Sequence, residues 1–271
     1  MAVVGAPSGA TGSRLKPLLQ LENITLKFAG LTALNEVSLA VPKGCVFAVI
    51  GPNGAGKTSL FNCVSGVYRP QQGSLHLAGE SLLGLPPHAI AARGVARMFQ
   101  NLALFDNLTT LQNLLLGAHH GFRTHVWQDL LWTRAARDEE VRQRAAVEEV
   151  IEFLELERYR QHPVGLLPYG VRKRIELGRA LCMKPQLLLL DEPAAGLNRE
   201  ETEELATFIL DIRSELGITQ LLIEHELSLV MDLADRIAVL DFGQKIAEGQ
   251  PDEVRRDPKV AEAYLGKQAA A

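Results

Sequence analysis

The chain has 271 residues, 47% hydrophobic and 22% charged, with a formal net charge of −4. That length and balance suit one large globular domain, or one domain carrying an inserted subdomain, with a core large enough to need no covalent staples. Mild acidity gives no electrostatic case for nucleic acid, and no apolar run approaches the ~20 residues that cross a bilayer.

Residues 1–17, "MAVVGAPSGATGSRLKP", are small and polar, lack the apolar stretch of a signal peptide, and read as a disordered leader. "QLENITLKF" and "LNEVSLAV" alternate apolar with polar positions and predict two strands of an N-terminal antiparallel β subdomain. "CVFAVI" is continuously apolar, as in a buried strand, and runs into a glycine-rich turn and a helix. A short hairpin is expected around "GSLHLAGESLLG", then a helix at "PPHAIAARG" and a strand at "VARMFQ".

From residue 101 the character changes. "AAVEEVIEFLEL" places Val147, Val150, Ile151 and Leu154 on one helical face with acids opposite, Trp127 and Trp132 fall nearby, and nothing reads as a buried strand. A helical subdomain, about 101–178, is therefore expected inside an α/β core. The core resumes at "QLLLLDEP". Asn198 is predicted to cap the next helix with Glu201 completing a capping box, Leu205, Ile209, Ile212 and Leu216 forming its stripe and Gly217 ending it. "ITQLLIEH" and "RIAVLD" supply two further strands, and short helices and a small-residue tail at 267–271 close the chain. Strands alternating with helices predict an α/β fold with a mostly parallel sheet, a single domain over 18–266. Cys45, Cys63 and Cys182 have no paired spacing and read as reduced thiols packed as small hydrophobes in a reducing compartment. The protein is thus expected to be soluble and intracellular, meeting a membrane only through a partner.

The candidate chemistry sits at strand ends. "GPNGAGKT" fits the phosphate-binding pattern Gly-x-x-x-x-Gly-Lys-Ser/Thr. Gly51, Pro52, Asn53, Gly54, Ala55 and Gly56 bend the backbone so that its N–H groups can point at phosphate oxygens. The helix that follows, with Lys57, Thr58 and Ser59, adds its positive end; Lys57 suits β/γ-phosphates and Thr58 suits Mg²⁺. "LLLLDEP" puts Asp191 and Glu192 past a buried strand, where open α/β sheets bind ligands; Asp191 is suited to hold Mg²⁺ through water and Glu192 to act as general base. His225 and Gln100 each end an apolar strand; the first would lie beside the γ-phosphate, the second could touch metal and water.

Taken together, "GPNGAGKT", Gln100, "LPYG", "LLLLDEPAAGLN" and His225 follow the order and spacing of an ABC-type ATPase, and the resemblance covers residues 18–266. Within that family, "FNCVSGVYRP", "DEPAAGLN", "AYLG" and the long helical insert resemble the ATP-binding subunit of branched-chain amino acid importers. Importers of urea or short amides and the ATPase of lipopolysaccharide export share the architecture; soluble ABC ATPases usually carry insertions or second domains that this chain lacks.

The resemblance implies a P-loop NTPase (RecA-like) core, ATP and Mg²⁺ as ligands, and a head-to-tail dimer with ATP sandwiched between two such subunits, identical or not. It implies transmembrane permease subunits as partners, a solute-binding protein indirectly, no nucleic acid, and a peripheral place on the cytoplasmic face of the inner membrane. Phe28 would stack on adenine, Gln100 would pass movement to "NLALFDNLTT" where a permease helix docks, and Asn198 matches the loop that crosses the dimer interface, where Asp is commoner. The signature Leu-Ser-Gly-Gly-Gln aligns with Leu167, Pro168, Tyr169, Gly170 and Val171. Pro168 there offers neither hydroxyl nor N–H, so the ATP site that uses "LPYG" is expected to be the weaker of two. Arg172, Lys173 and Arg174, oddly placed at the positive end of a helix, are expected to face the γ-phosphate of the partner's ATP.

Overall fold

The computed structural model describes residues 17–99, 102–118 and 134–265, and among these ten strands form two sheets. Strand β1 (Pro17–Phe28) turns through Ala29 and Gly30, both at positive φ, into antiparallel β2 (Leu31–Pro42). β4 (Gln72–Leu77) adds to the other edge of β1, and β5 (Glu80–Ser81) to β4. β1 thus begins on Pro17, the last residue of the expected leader; residues 1–16, the 267–271 tail, Trp127 and Trp132 lie outside the described residues.

The second sheet contains β3 (Val46–Ile50), β6 (Val95–Met98), β7 (Leu187–Asp191), β8 (Thr219–Ile223), β9 (Arg236–Asp241) and β10 (Gln244–Gly249). Its order is β10-β9-β3-β8-β7-β6, parallel throughout except for β10, which returns antiparallel along β9. β3, β7 and β8 are buried along their full lengths because both faces of the sheet are covered. Side chains alternate accordingly. Phe47, Val49, Leu189, Leu221 and Ile223 join the core beneath the antiparallel sheet and helix α1 (Lys57–Val64), whereas Val46, Leu188, Leu190 and Leu222 join a second core built with the helices.

After α2 (Pro87–Ala92), the helices of this second core are α3 (Thr110–Ala118), α4 (Arg134–Phe153), α5 (Tyr169–Leu181) and α6 (Arg199–Ser214). Leu114, Val147, Ile151, Leu154 and Ile175 share one cluster with Leu188 and Leu190, so α3, α4 and α5 are fused to the sheet through α5. α7 (Leu227–Leu233), α8 (Pro251–Arg255) and α9 (Pro258–Leu265) complete the fold, with Val254 and Val260 capping a third cluster under β9.

Both halves of the capping box on α6 form: the Glu201 N–H donates to Asn198 Oδ1, and the Asn198 N–H to Glu201 Oε2, each at 3.0 Å. The predicted stripe needs one correction. α6 stops at Ser214, so Leu216 lies beyond it, 47% exposed, and Phe208 takes the fourth buried place beside Leu205, Ile209 and Ile212. The three cysteines are buried free thiols, and burial pushes each up to about 12, which keeps them protonated and inert.

Candidate active site

The carboxyl ends of the parallel strands converge on one edge, the position where such sheets bind ligands. β3 delivers the phosphate loop, β7 delivers Asp191 and Glu192, and β8 delivers Glu224 and His225. β6 points to the same edge, but Gln100 beyond it lies outside the described residues.

In the loop, Gly51 has φ 148° and any Cβ there would run into the Leu240 carbonyl; Gly56, at φ 100°, precedes α1 with no side chain capping it among the described residues. A helix start of this kind turns its first backbone N–H groups and its positive end toward an anion. Lys57 is buried, and its Nζ donates to the carbonyls of Gly51 (2.6 Å) and Pro52 (3.1 Å), so the loop wraps its own lysine. Asn53, Gly54 and Thr58 are exposed, Ser59 is half-buried, and Pro52 and Ala55 are buried.

Glu192 follows β7 with φ 50°, a left-handed conformation that costs a non-glycine residue about 1–3 kcal/mol. Its N–H donates to the Ile223 carbonyl at 2.9 Å, and Oε1 lies 2.6 Å from His225 Nε2. Glu224 holds both backbones: Oε1 accepts from the Ala194 N–H at 2.8 Å and Oε2 from the His225 N–H at 3.1 Å. Burial pushes the Glu224 carboxyl above its usual range, with these N–H groups resisting. Sequence reasoning missed Glu224, although an acid inside "LLIEH" at a strand end was the available signal.

A cleft of about 520 Å³ brings together Phe28, the loop from Asn53 to Ser59, Glu192 and His225. Phe28 is 40% exposed and meets Tyr68 edge to face at 5.0 Å. Phe242, 75% exposed at φ 42°, also lines the cleft and was not foreseen. Asp191 sits behind it, buried, with Oδ2 2.6 Å from Arg97 Nη2. The hydroxyl of Thr58 and the carboxylate of Asp191 are hard oxygen donors. Among the described residues no group of three or more His, Cys, Asp or Glu could cage a metal alone. That sparse oxygen set fits Mg²⁺, which normally keeps waters and takes phosphate oxygens as further ligands.

Leu167, Pro168, Tyr169, Gly170 and Asn198 are not brought to this cleft. They lie together elsewhere: Tyr169 packs on Gly196 and donates to the Ala195 carbonyl at 3.4 Å, and Gly170 abuts the Glu201 carboxylate of the capping box. Pro168 occupies the N-cap position of α5.

The expectation for the three cations is overturned. Lys173 is 0% and Arg174 6% exposed; Arg174 donates to Glu204 at 2.9 Å and Arg172 to Asp106 at 2.7 Å. α5 lies deep in the second core, so its basic side chains are neutralised by acids of this chain rather than turned toward an outside anion.

The ABC transporter family matches residues 34–195, and the branched-chain amino acid ATP-binding cassette transporter family matches residues 244–270. The chain is 43% identical to the high-affinity branched-chain amino acid transport ATP-binding protein BraF of Pseudomonas aeruginosa, over 93% of this chain and 99% of that one. It is 41% identical to LivG of Escherichia coli K12, with the same coverage. A crystal structure of an ATP-binding cassette of an ABC transporter in its ADP conformation superposes with TM-score 0.81 at 33% identity, covering 92% of this chain and 99% of the other. A nucleotide-free cassette gives 0.79 at 32% identity, covering 92% and 98%. The chain belongs to the ABC transporter family, as an ATP-hydrolysing cassette of its branched-chain amino acid branch.

Proposed function

We propose that this chain powers a branched-chain amino acid importer by hydrolysing ATP in the cleft between the phosphate loop and Glu192. The observation that carries the chemistry is the joining of the loop, Glu192 and His225 around one cavity. The solute assignment is supported by the BraF and LivG relatives. Deleting the gene and measuring uptake of labelled leucine, isoleucine and valine beside urea tests it; unchanged uptake of all three amino acids would sink it.

In this reading backbone N–H groups of the loop and of α1 receive the phosphates, and Lys57 exchanges its loop carbonyls for the β/γ oxygens. Thr58 and Asp191, with Gln100, would hold Mg²⁺, which would neutralise phosphate charge when bound. Glu192 takes the proton of the attacking water, and His225 aims the carboxylate. Phe28 forms one wall for the base, and Gln100 senses the γ-phosphate. Leu167, Pro168, Tyr169 and Asn198 form the surface offered to a second ATPase subunit, with Gly170 buried behind it against Glu201, and Pro168 supplies neither hydroxyl nor N–H.

Permease docking at "NLALFDNLTT" is supported by a groove of about 240 Å³ beside it, lined by Val67, Ile90, Phe99, Ala180 and Met183, whose Arg179 also donates to the Ala103 carbonyl. Its apolar walls suit an amphipathic helix. Among the described residues no helix is long and apolar enough to cross a membrane; peripheral attachment at the cytoplasmic face is supported by the BraF and LivG relatives, which are transport ATP-binding proteins.

Two results are expected. Lys57→Ala should weaken ATP binding by about 10–100-fold, the worth of charge-assisted hydrogen bonds to phosphate. Unchanged nucleotide affinity in equilibrium titration would remove the phosphate-loop assignment. Phe28→Ala should cost about 1–3 kcal/mol of ATP affinity, as for other base–aromatic stacks, while inorganic triphosphate binds as before. Equal losses for ATP and triphosphate would show that Phe28 serves packing against Tyr68 alone.

A further inference from the structure

We propose that Arg97 is a positioning residue for hydrolysis, bracketing Asp191 to the helix that carries Thr58. Arg97 stands on β6, next to β7, and its side chain is 10% exposed. One planar guanidinium makes three polar contacts. Nη2 donates to Asp191 Oδ2 at 2.6 Å; Nη1 donates to Asn62 Oδ1 at 2.7 Å and to Ser65 Oγ at 3.3 Å. Asn62 lies within α1 and Ser65 caps its end. The rings of Phe61 and Phe99 flank the guanidinium at 5.8 and 5.0 Å, fixing its plane.

The consequence is geometric. Thr58 and Asp191, two of the groups read as holding Mg²⁺, come from different elements, and no hydrogen bond among the described residues joins them directly. The fork of Arg97 ties the two elements together, one arm on each. It engages one oxygen of Asp191 and so orients the carboxylate as a whole. Partners of this kind, one step behind a metal ligand, set its direction, and their loss costs about 10–100-fold in metal affinity. A lysine would keep the charge but, as a point charge on a single stem, would lose the planar span between Asn62 and Asp191.

The inference rests on the reading of Thr58 and Asp191 as the metal-holding pair, and the test separates the two. The full chain, as Arg97→Lys and as Asn62→Ala, is titrated with a fluorescent ATP analogue in Mg²⁺ and again in EDTA. Asn62→Ala leaves the ion pair in place and removes the shorter of the two contacts to α1, so it remains informative where Arg97→Lys folds poorly. In both variants the affinity gained on adding Mg²⁺ should shrink, by about tenfold or more in Arg97→Lys, while affinity in EDTA stays within about twofold. A Mg²⁺ gain equal to that of the unaltered chain in both variants would overturn the role. So would equal losses with and without Mg²⁺, which would mark the pair as a simple staple of sheet to helix. An unaltered chain that binds ATP without any gain from Mg²⁺ would overturn the metal-pair reading itself.

Discussion

Glu192→Gln should leave ATP binding intact and lower turnover by about 10²–10⁴-fold, the usual contribution of a positioned general base. The substitution is nearly isosteric, so the left-handed backbone at φ 50° and the N–H bond to Ile223 are expected to persist. The amide can still meet His225 Nε2, now 2.6 Å from the carboxylate. What it cannot do is accept a proton from water. The strain at Glu192 argues that its position serves chemistry: a residue held at φ 50° costs stability and survives where its surroundings over-determine it. Here the surroundings are the Ile223 carbonyl, the Ala194 N–H held by Glu224, and His225. Steady-state hydrolysis and equilibrium nucleotide binding, measured on the same preparation, separate the two effects. Turnover equal to that of the unaltered chain would remove Glu192 from the role of base, and parallel loss of binding would point to collapse of the turn.

The parts of this site that were legible in the sequence are those written locally. A phosphate loop declares itself in eight consecutive residues, and "LLLLDEP" marks a strand end by its own hydrophobic run. The capping box of Asn198 and Glu201 is likewise set by neighbours three apart. What escaped was written across the chain. Arg97 reads as an ordinary strand residue until β7 and α1 are placed beside it, bringing Asp191 from 94 positions away and Asn62 from 35. The cations of α5 misled for the same reason, since Asp106 and Glu204, which neutralise Arg172 and Arg174, lie 66 and 30 positions distant. Leu216 misled through periodicity: the 3.6-residue pattern continues past Ser214, but the helix does not.

Lys173 carries the largest expected effect on stability. It is fully buried, with its ammonium 5.8 Å from the centre of the Tyr169 ring. Burial pushes the ammonium below its usual range, and Glu176, then Glu224, Glu192 and Asp191, hold it up. One buried cation therefore faces the acids of the catalytic edge. Replacing it with the similarly sized Met removes the cation and leaves those acids uncompensated, so Lys173→Met should destabilise the fold by about 3–5 kcal/mol. The loss should depend on pH in a defined direction. Burial raises Glu176 and Glu224 above 4.5, so each contributes stability that is complete below 4.5 and lost as pH rises through its folded value. Without Lys173 the Glu176 carboxyl rises further, because the attraction that resisted its burial is gone, whereas Glu224 keeps the N–H groups that resist its own. The variant's deficit should accordingly be small near about pH 5 and grow toward about pH 8. Urea midpoints of variant and unaltered chain at the two pH values check this. A deficit that is the same at both would show that Lys173 is held by packing against Tyr169 and that the acids behind Glu192 do not depend on its charge.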